Sequence, residues 1–161
     1  SELLIAEFQN KKIEEIIEIG ITEFPVGKER ETIIKQRVNQ SFFRSTILSS
    51  YNLKCCITGL SITDFLVASH IKPWAIDKEN RINPHNGLCL NSIHDRAFDK
   101  GFITITPNYK IKISKYLDDY SNEQAVNDFF FKYQNQKINL PDRFLPSKEF
   151  LDFHYHKIFK K

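Results

Sequence analysis

Residues 65–101 read FLVASHIKPWAIDKENRINPHNGLCLNSIHDRAFDKG, and the order of apolar and polar runs in this stretch decides the fold. Two short apolar runs, Phe65–Ala68 and Gly87–Leu90, have the length and composition of strands. The residues between them, 72–85, have no regular apolar period, which is typical of a functional loop. We therefore predict a strand, a loop and a second strand that pairs with the first.

A short helix is predicted directly after the second run. Ser92 is a suitable N-cap and Gly101 a suitable C-terminal stop, so the helix should cover Ser92–Lys100. Asp95 and Asp99 are four residues apart in it, so both carboxylates should project from one face. Such a pair can bind a hard divalent cation.

Both aspartates also have a purely structural explanation. Ser92-x-x-Asp95 resembles an N-terminal capping arrangement, in which the acid satisfies a free backbone N–H. Asp99 lies in the last turn, where the helix dipole disfavours a carboxylate by up to about 1 kcal/mol, so it needs a positive partner. Lys100, Arg96 or solvent could be that partner, whereas a cation shared with Asp95 explains both positions.

Two further polar residues lie at the junctions of this unit. His70 ends the first predicted strand, and an imidazole with a pKa near 6.5 is well suited to take a proton from water. A single histidine is also commonly a hydrogen-bonded structural residue. Asn86 precedes Gly87, as in many turns, but its amide could equally orient the histidine.

The rest of the chain should supply flanking helices and one added hairpin in an α+β fold. An acidic amphipathic helix and linker should occupy residues 1–31, leaving residues 32–161 as the main domain. Helices are predicted at 3–19, 33–49, 121–131 and 147–159, a strand at 55–57, and a hairpin with strands at 102–105 and 109–113.

Composition and charge limit the classes of function that are compatible with this chain. The 161 residues suit a single globular domain, and no apolar run approaches the ~20 residues that would span a membrane. Residues 1–31 carry 4 basic and 8 acidic side chains, which leaves 19 basic and 12 acidic ones in the remainder. A polyanionic partner is therefore plausible. The odd number of cysteines, 3, argues against a disulfide framework and for a cytoplasmic location.

Several blocks of the chain match one known family in order and spacing. It resembles the HNH endonuclease domain of the restriction-endonuclease type, which has a ββα-metal core, here at about residues 65–101. The matching blocks are Arg37–Gln40, Phe43-Arg44, Tyr51, Cys55–Gly59, Ser69–Trp74, Arg81, Asn86–Leu90 and His94–Gly101, with a weaker likeness from Leu140 to His154.

The resemblance implies roles for particular residues. His70 is expected to be the general base and Asn86 the residue that holds its imidazole in place. Asp95 and Asp99 are expected to bind one divalent ion, Mg²⁺ or Mn²⁺, because oxygen ligands suit these metals. A literal H-N-H pattern would instead choose His94, which stays an alternative ligand.

Phosphate contacts are expected from the cations that flank these positions. The candidates are Lys72, Arg81 and Arg96, each of which could equally be a solvated surface residue.

The chain departs from the family in two respects. Many HNH nucleases have a metal-binding Asp directly before the catalytic His, but Ser69 occupies that position here. Many also carry a zinc ribbon, whereas Cys55, Cys56 and Cys89 have unsuitable spacings. No structural zinc is therefore expected, and Cys55 and Cys89 should be buried as small apolar residues.

The activity implied is hydrolysis of DNA phosphodiester bonds to 5′-phosphate and 3′-hydroxyl ends, in restriction or phage defence. An HNH-fold DNA-binding module without catalysis is the alternative, because of Ser69. A protein-interaction domain is a third hypothesis, and it requires the block-by-block match to be coincidental. DNA is the expected partner and a membrane is not. A homodimer or an additional recognition domain would explain double-strand cleavage or sequence specificity.

Overall fold

The computed structural model describes residues 27–161, which form helices and two small antiparallel sheets. The predicted α+β class is confirmed. The chain divides into two compact units, Ser1–Thr46 and Ile47–Lys161, and the helix predicted at 3–19 lies outside the described residues. The elements are α1 (Lys28–Ser50), β1 (Leu66–His70), β2 (Gly87–Asn91), α2 (Ser92–Asp99), β3 (Ile103–Ile105), β4 (Ile111–Ile113), α3 (Gln124–Phe129) and α4 (Lys148–Lys157).

The helix predicted at 33–49 is confirmed as α1, but it begins earlier, at Lys28. Glu29 and Glu31 lie in its first turn, where their negative charge complements the helix dipole. The charged run Lys28–Glu31, predicted to belong to a linker, is therefore helical.

The central hairpin has the predicted strand–loop–strand order. β1 pairs antiparallel with β2, with Leu66 opposite Asn91 and His70 opposite Gly87. All five residues of β2 are buried, which explains why its sequence reads as a continuous apolar run rather than an alternating one. The register places His70 at the end of the hairpin that opens into the loop.

The helix predicted after the second strand is confirmed as α2, but its N-cap is Asn91 and not Ser92. The Asn91 side-chain oxygen accepts hydrogen bonds from the backbone N–H groups of Ile93 and His94. The Ser92 hydroxyl instead donates to the carbonyl of Phe65. The chain leaves the helix through Gly101, whose φ of +76° is left-handed.

The second hairpin is also confirmed. β3 and β4 pair antiparallel, with Ile103 opposite Ile113 and Ile105 opposite Ile111. All three residues of β3 are buried, and α4 packs against this strand. α4 begins after Ser147 as predicted, because the Ser147 side chain accepts a hydrogen bond from the N–H of Phe150.

One element prediction was wrong. Residues Cys55–Ile57 form turns rather than a strand, since Cys55 donates to the Leu60 carbonyl and Gly59 donates back to that of Cys55.

The helix predicted at 121–131 is confirmed as α3, but it is shorter and begins only at Gln124. A six-residue 3₁₀ helix, Lys115–Tyr120, precedes it.

The core lies where the two hairpins meet α2 and α4. Cys55 and Cys89 are fully buried, as predicted for small apolar residues. Within residues 27–161 no helix combines the length and apolarity needed to cross a bilayer.

Replacing Gly101 with alanine should destabilise the fold more than the same change at Gly59. Both glycines have a φ of +76°, so both substitutions carry a left-handed backbone cost of about 1–2 kcal/mol. A Cβ at Gly101 would in addition meet the Ile158 carbonyl carbon at 3.0 Å and its oxygen closer still, whereas nothing lies within 4 Å at Gly59. Urea unfolding should show an extra loss of about 1–3 kcal/mol for Gly101→Ala, and equal losses would contradict this packing.

Acid should weaken the fold through His154. Burial lowers the pKa of His154 to about 4, although its hydrogen bond to the Phe98 carbonyl acts in the opposite direction. Between pH 6.5 and 4 the unfolded chain therefore binds a proton that the folded chain does not, and stability falls as the pH falls.

At pH 4.5 this linkage amounts to about 2–3 kcal/mol relative to pH 7. We expect His154→Gln to lose that much less stability than the wild type over this interval, measured by urea unfolding at both pH values. Parallel pH profiles for the two proteins would show that His154 is not the group responsible.

Candidate active site

His70 ends β1 and turns one ring nitrogen towards the loop. Its Nε2 lies 2.7 Å from the carbonyl oxygen of Arg81. Because a carbonyl only accepts hydrogen bonds, Nε2 must carry the proton. In the neutral ring the lone pair is then on Nδ1, which is the atom able to accept a proton.

The surroundings of His70 favour this neutral form. Burial lowers the pKa of His70 below its usual value, and the positive charge of Arg81 lowers it further. The hydrogen bond to the Arg81 carbonyl and the negative charge of Asp95 act in the opposite direction. The net shift is downward, so the imidazole is available as a base at neutral pH.

Asp95 of α2 faces the end of β1. Its carboxylate accepts a hydrogen bond from the hydroxyl of Ser69, and its charge acts on His70. The capping explanation of Asp95 is therefore wrong, because Asn91 caps the helix and Asp95 contacts the neighbouring strand.

The pKa of Asp95 is raised. Burial is the main cause, and the carboxylate of Asp99 adds to it. The Ser69 hydrogen bond and the charges of Arg96 and His70 lower the pKa but do not outweigh these effects. Asp95 and Asp99 are therefore near enough for their charges to interact, as the helical spacing predicted.

The carboxylates of Asp95 and Asp99 fit a divalent cation that keeps water molecules among its ligands. In residues 27–161 no group of three or more His, Cys, Asp or Glu side chains is arranged to hold a metal. Mg²⁺ is commonly bound by one or two carboxylates, with water and substrate phosphate as the other ligands. Asp95 and Asp99 supply such a pair, and their oxygens match the hard cation.

Asn86 is fully buried and fastens the loop between the two strands. Its side-chain oxygen accepts a hydrogen bond from the N–H of Lys72, and its amide nitrogen donates to the carbonyls of Lys72 and Asn80. These bonds hold the loop on both sides of Trp74, just before the Arg81 carbonyl that accepts from His70. Asn86 can therefore position the imidazole through the loop.

Trp74 belongs to the site although its sequence position indicated only a loop. Its ring meets the His70 ring edge-on, with centroids 5.5 Å apart. The Arg81 guanidinium lies 4.6 Å from the Trp74 ring centroid, and Arg81 Nε donates to the Trp74 carbonyl. The loop thus places an aromatic ring and an arginine beside His70. The one feature of the sequence that could have indicated these contacts is an aromatic residue between two motif positions.

Comparison with known proteins finds one family over the central part of the chain. Residues 55–106 match the family model described as HNH endonuclease, and the match covers β1, the loop, β2, α2 and β3. This segment is similar to HNH endonuclease domains. Such domains act on DNA and generally use a divalent metal ion. No curated protein matches the chain.

His94 does not join the aspartates of the HNH domain. It is buried, its Nδ1 lies 2.8 Å from the Asn91 amide nitrogen, and its Nε2 hydrogen-bonds to the Phe129 carbonyl. Successive helical residues point about 100° apart, so His94 turns towards α3 while Asp95 turns towards β1. Both nitrogens of His94 are thus engaged within the protein, and for His94 to bind the same cation one of these hydrogen bonds would have to break.

The three predicted phosphate contacts differ in their surroundings. Lys72 is paired with Asp77 at 3.2 Å and lies over the Phe153 ring, so a phosphate would compete with Asp77 for its ammonium group. Arg81 is half-buried against Trp74 beside His70. Arg96 is exposed and acts on Asp95, so it is the cation best placed to meet a phosphate at the aspartates.

Replacing Asn86 with alanine should loosen the loop of the HNH domain. The change removes three hydrogen bonds and leaves partly buried backbone groups of Lys72 and Asn80 without these partners, at up to about 1–3 kcal/mol for each group. Hydrogen exchange at the Lys72 amide, which donates to Asn86, should accelerate at least ~10-fold.

Asn127→Ala is the matched control, because that exposed amide also donates to two backbone carbonyls, those of Ser121 and Glu123. It should cost less than about 1 kcal/mol and leave the Lys72 amide protected. Unchanged Lys72 exchange in Asn86→Ala would show that Asn86 does not hold the loop.

Proposed function

We propose that this protein is a metal-dependent endonuclease that hydrolyses phosphodiester bonds in DNA. The observation that carries the proposal is the meeting of His70, at the end of β1, with Asp95, on the facing side of α2. A neutral imidazole beside a carboxylate pair is the minimum set for activating water next to a bound cation.

His70 acts as the general base. Nδ1 takes a proton from a water molecule, while the bond from Nε2 to the Arg81 carbonyl keeps the ring oriented. The hydroxide equivalent attacks phosphorus in line with the 3′ oxygen, and the bond from phosphorus to that oxygen breaks. The 3′ oxygen takes a proton from solvent water, so the products are 5′-phosphate and 3′-hydroxyl ends, and His70 later releases its proton to solvent. The charge of Asp95 stabilises the imidazolium that forms.

Asp95 and Asp99 hold the divalent ion, for which Mg²⁺ or Mn²⁺ is the best fit. When bound, the ion supplies positive charge next to the phosphate oxygens, where negative charge grows during the reaction. Ser69 contributes through its hydrogen bond to Asp95 and thereby orients that carboxylate. In this arrangement Ser69 positions a ligand and need not be one.

Arginines complete the substrate contacts in this proposal. Arg96 is exposed on the same helix as the aspartates, and Arg81 lies beside His70. Both can bind non-bridging phosphate oxygens, which places the backbone without reading its sequence.

A role in restriction or phage defence fits a nuclease of this kind and is part of the proposal. So is a cytoplasmic location, where Cys55, Cys56 and Cys89, which form no disulfide, would stay reduced. One such site cuts one strand, so a double-strand break would need a homodimer or two successive nicks. An additional recognition domain would supply specificity for a target sequence.

Substitution of His70 or Asp95 should abolish cleavage without unfolding the protein. With Mg²⁺ or Mn²⁺ the wild type should nick supercoiled plasmid, and EDTA should stop it. His70→Ala and Asp95→Asn should each lower the rate at least ~100-fold, because a positioned base contributes about 10²–10⁴-fold. His156→Ala, an exposed histidine bonded only within α4, is the control and should cleave normally.

Undiminished cleavage by His70→Ala would refute the assigned base. Salt-sensitive DNA binding by the wild type without cleavage under any divalent ion would instead favour an HNH-fold module that binds DNA but does not cut it.

A further inference from the structure

A concave pocket of about 430 Å³ lies between β4 and the C-terminal end of the chain. Three of its lining residues are lysines, namely Lys112, Lys115 and Lys161. Tyr155 of α4 forms part of its wall, and Asp118 is the one carboxylate among the residues that line it. We call this set the lysine pocket. It shares no residue with the site around His70 and Asp95.

Tyr155 brings two of the ammonium groups together. Lys112 Nζ donates a hydrogen bond of 3.2 Å to the Tyr155 hydroxyl and lies 5.1 Å from the ring centroid. Lys161 Nζ lies 4.8 Å from the same centroid. The two charges are therefore no more than about 10 Å apart, each close to an aromatic ring that attracts cations.

Within residues 27–161 no carboxylate forms an ion pair with these lysines: the ion pairs there are Lys72 with Asp77 and His156 with Asp152. Among the described residues that line the pocket, the side chains of three lysines and one aspartate leave an excess of two positive charges. Like charges held this close repel each other, and an anion that contacts them would remove that repulsion.

We propose that the lysine pocket is a second contact site for the phosphates of a DNA backbone. The inference rests on the proposed nuclease function, which makes DNA the polyanion that the protein meets. The excess of basic residues in the chain after residue 31 supports the same partner. Lysines on an aromatic wall bind backbone phosphate without selecting a sequence.

Such a contact has a specific kinetic consequence. Because the lysine pocket shares no residue with the catalytic site, we expect it to contribute to binding of DNA equally in the ground state and the transition state. Its loss should raise Kd and KM and leave kcat unchanged.

The test compares two triple variants with the same change in charge. Lys112, Lys115 and Lys161 are replaced by glutamine in one, and the exposed lysines Lys54, Lys137 and Lys148 in the other. Binding to a labelled 30-base-pair duplex is followed by fluorescence anisotropy in EDTA over a range of salt concentrations. Nicking rates are measured separately with Mg²⁺.

The pocket variant should bind at least ~10-fold more weakly, and its slope of log K against log salt should fall by about 2–3, one unit for each lost phosphate contact. The control variant should change the slope by less than one. Replacing the same three residues by arginine should restore binding, which excludes a folding defect. If the two glutamine variants bind DNA equally well while the wild-type protein cleaves DNA, the inference about the pocket is overturned and the nuclease proposal stands.

Two other outcomes separate the hypotheses further. A pocket-dependent salt slope without cleavage under any divalent ion would support the lysine pocket and refute the nuclease, whereas no DNA binding by the wild type would refute both. If inorganic phosphate alone shifts the Tyr155 resonances while the pocket variant binds DNA normally, the site takes a small phosphate and the backbone proposal is wrong.

Discussion

The site depends on the hydrogen bonds that the Asn91 side chain forms. Its oxygen accepts from the N–H groups of Ile93 and His94, which fixes the first turn of α2. Its amide nitrogen lies within hydrogen-bond distance of Cys55 Sγ and Thr58 Oγ1, so the turn at residues 55–60 is tied to the same point. Because Asn91 also pairs with Leu66 in the hairpin, it sets the rotation of α2 relative to β1.

Because of that rotation, neighbouring residues of α2 contact different parts of the protein. His94 turns inward and hydrogen-bonds to the Phe129 carbonyl, which attaches α2 to α3. Asp95 turns towards β1, where Ser69 and His70 end the strand. If the helix began one residue earlier or later, a different side chain would occupy the position that Asp95 takes towards β1. The N-cap therefore determines which side chain lies beside the general base of the proposed reaction.

Much of this arrangement could be predicted from sequence, since strand length and helical spacing are local properties. The hairpin, α2 and the shared face of Asp95 and Asp99 follow from them. The sequence predicts the N-cap one residue too late, because Asn91 and Ser92 are both good caps and only the tertiary contacts of Asn91 distinguish them.

Other features depend on the path of the folded chain. The apolar residues Cys55–Ile57 predict a strand, but they are buried in a turn that packs on β2. Lys72 is held by Asp77, five residues further along an irregular loop, and Trp74 reaches His70 only because Asn86 fastens that loop. No local pattern specifies contacts of this kind.

The central claim, that a cation held by Asp95 lies next to His70, is tested most directly by NMR of the histidine rings during Mn²⁺ titration. Paramagnetic broadening falls steeply with distance from the ion. We expect the His70 ring resonances to broaden first, before those of His94 and His154, and Asp95→Asn to remove the effect. Earlier broadening of His94, or equal broadening of all three rings, would contradict it.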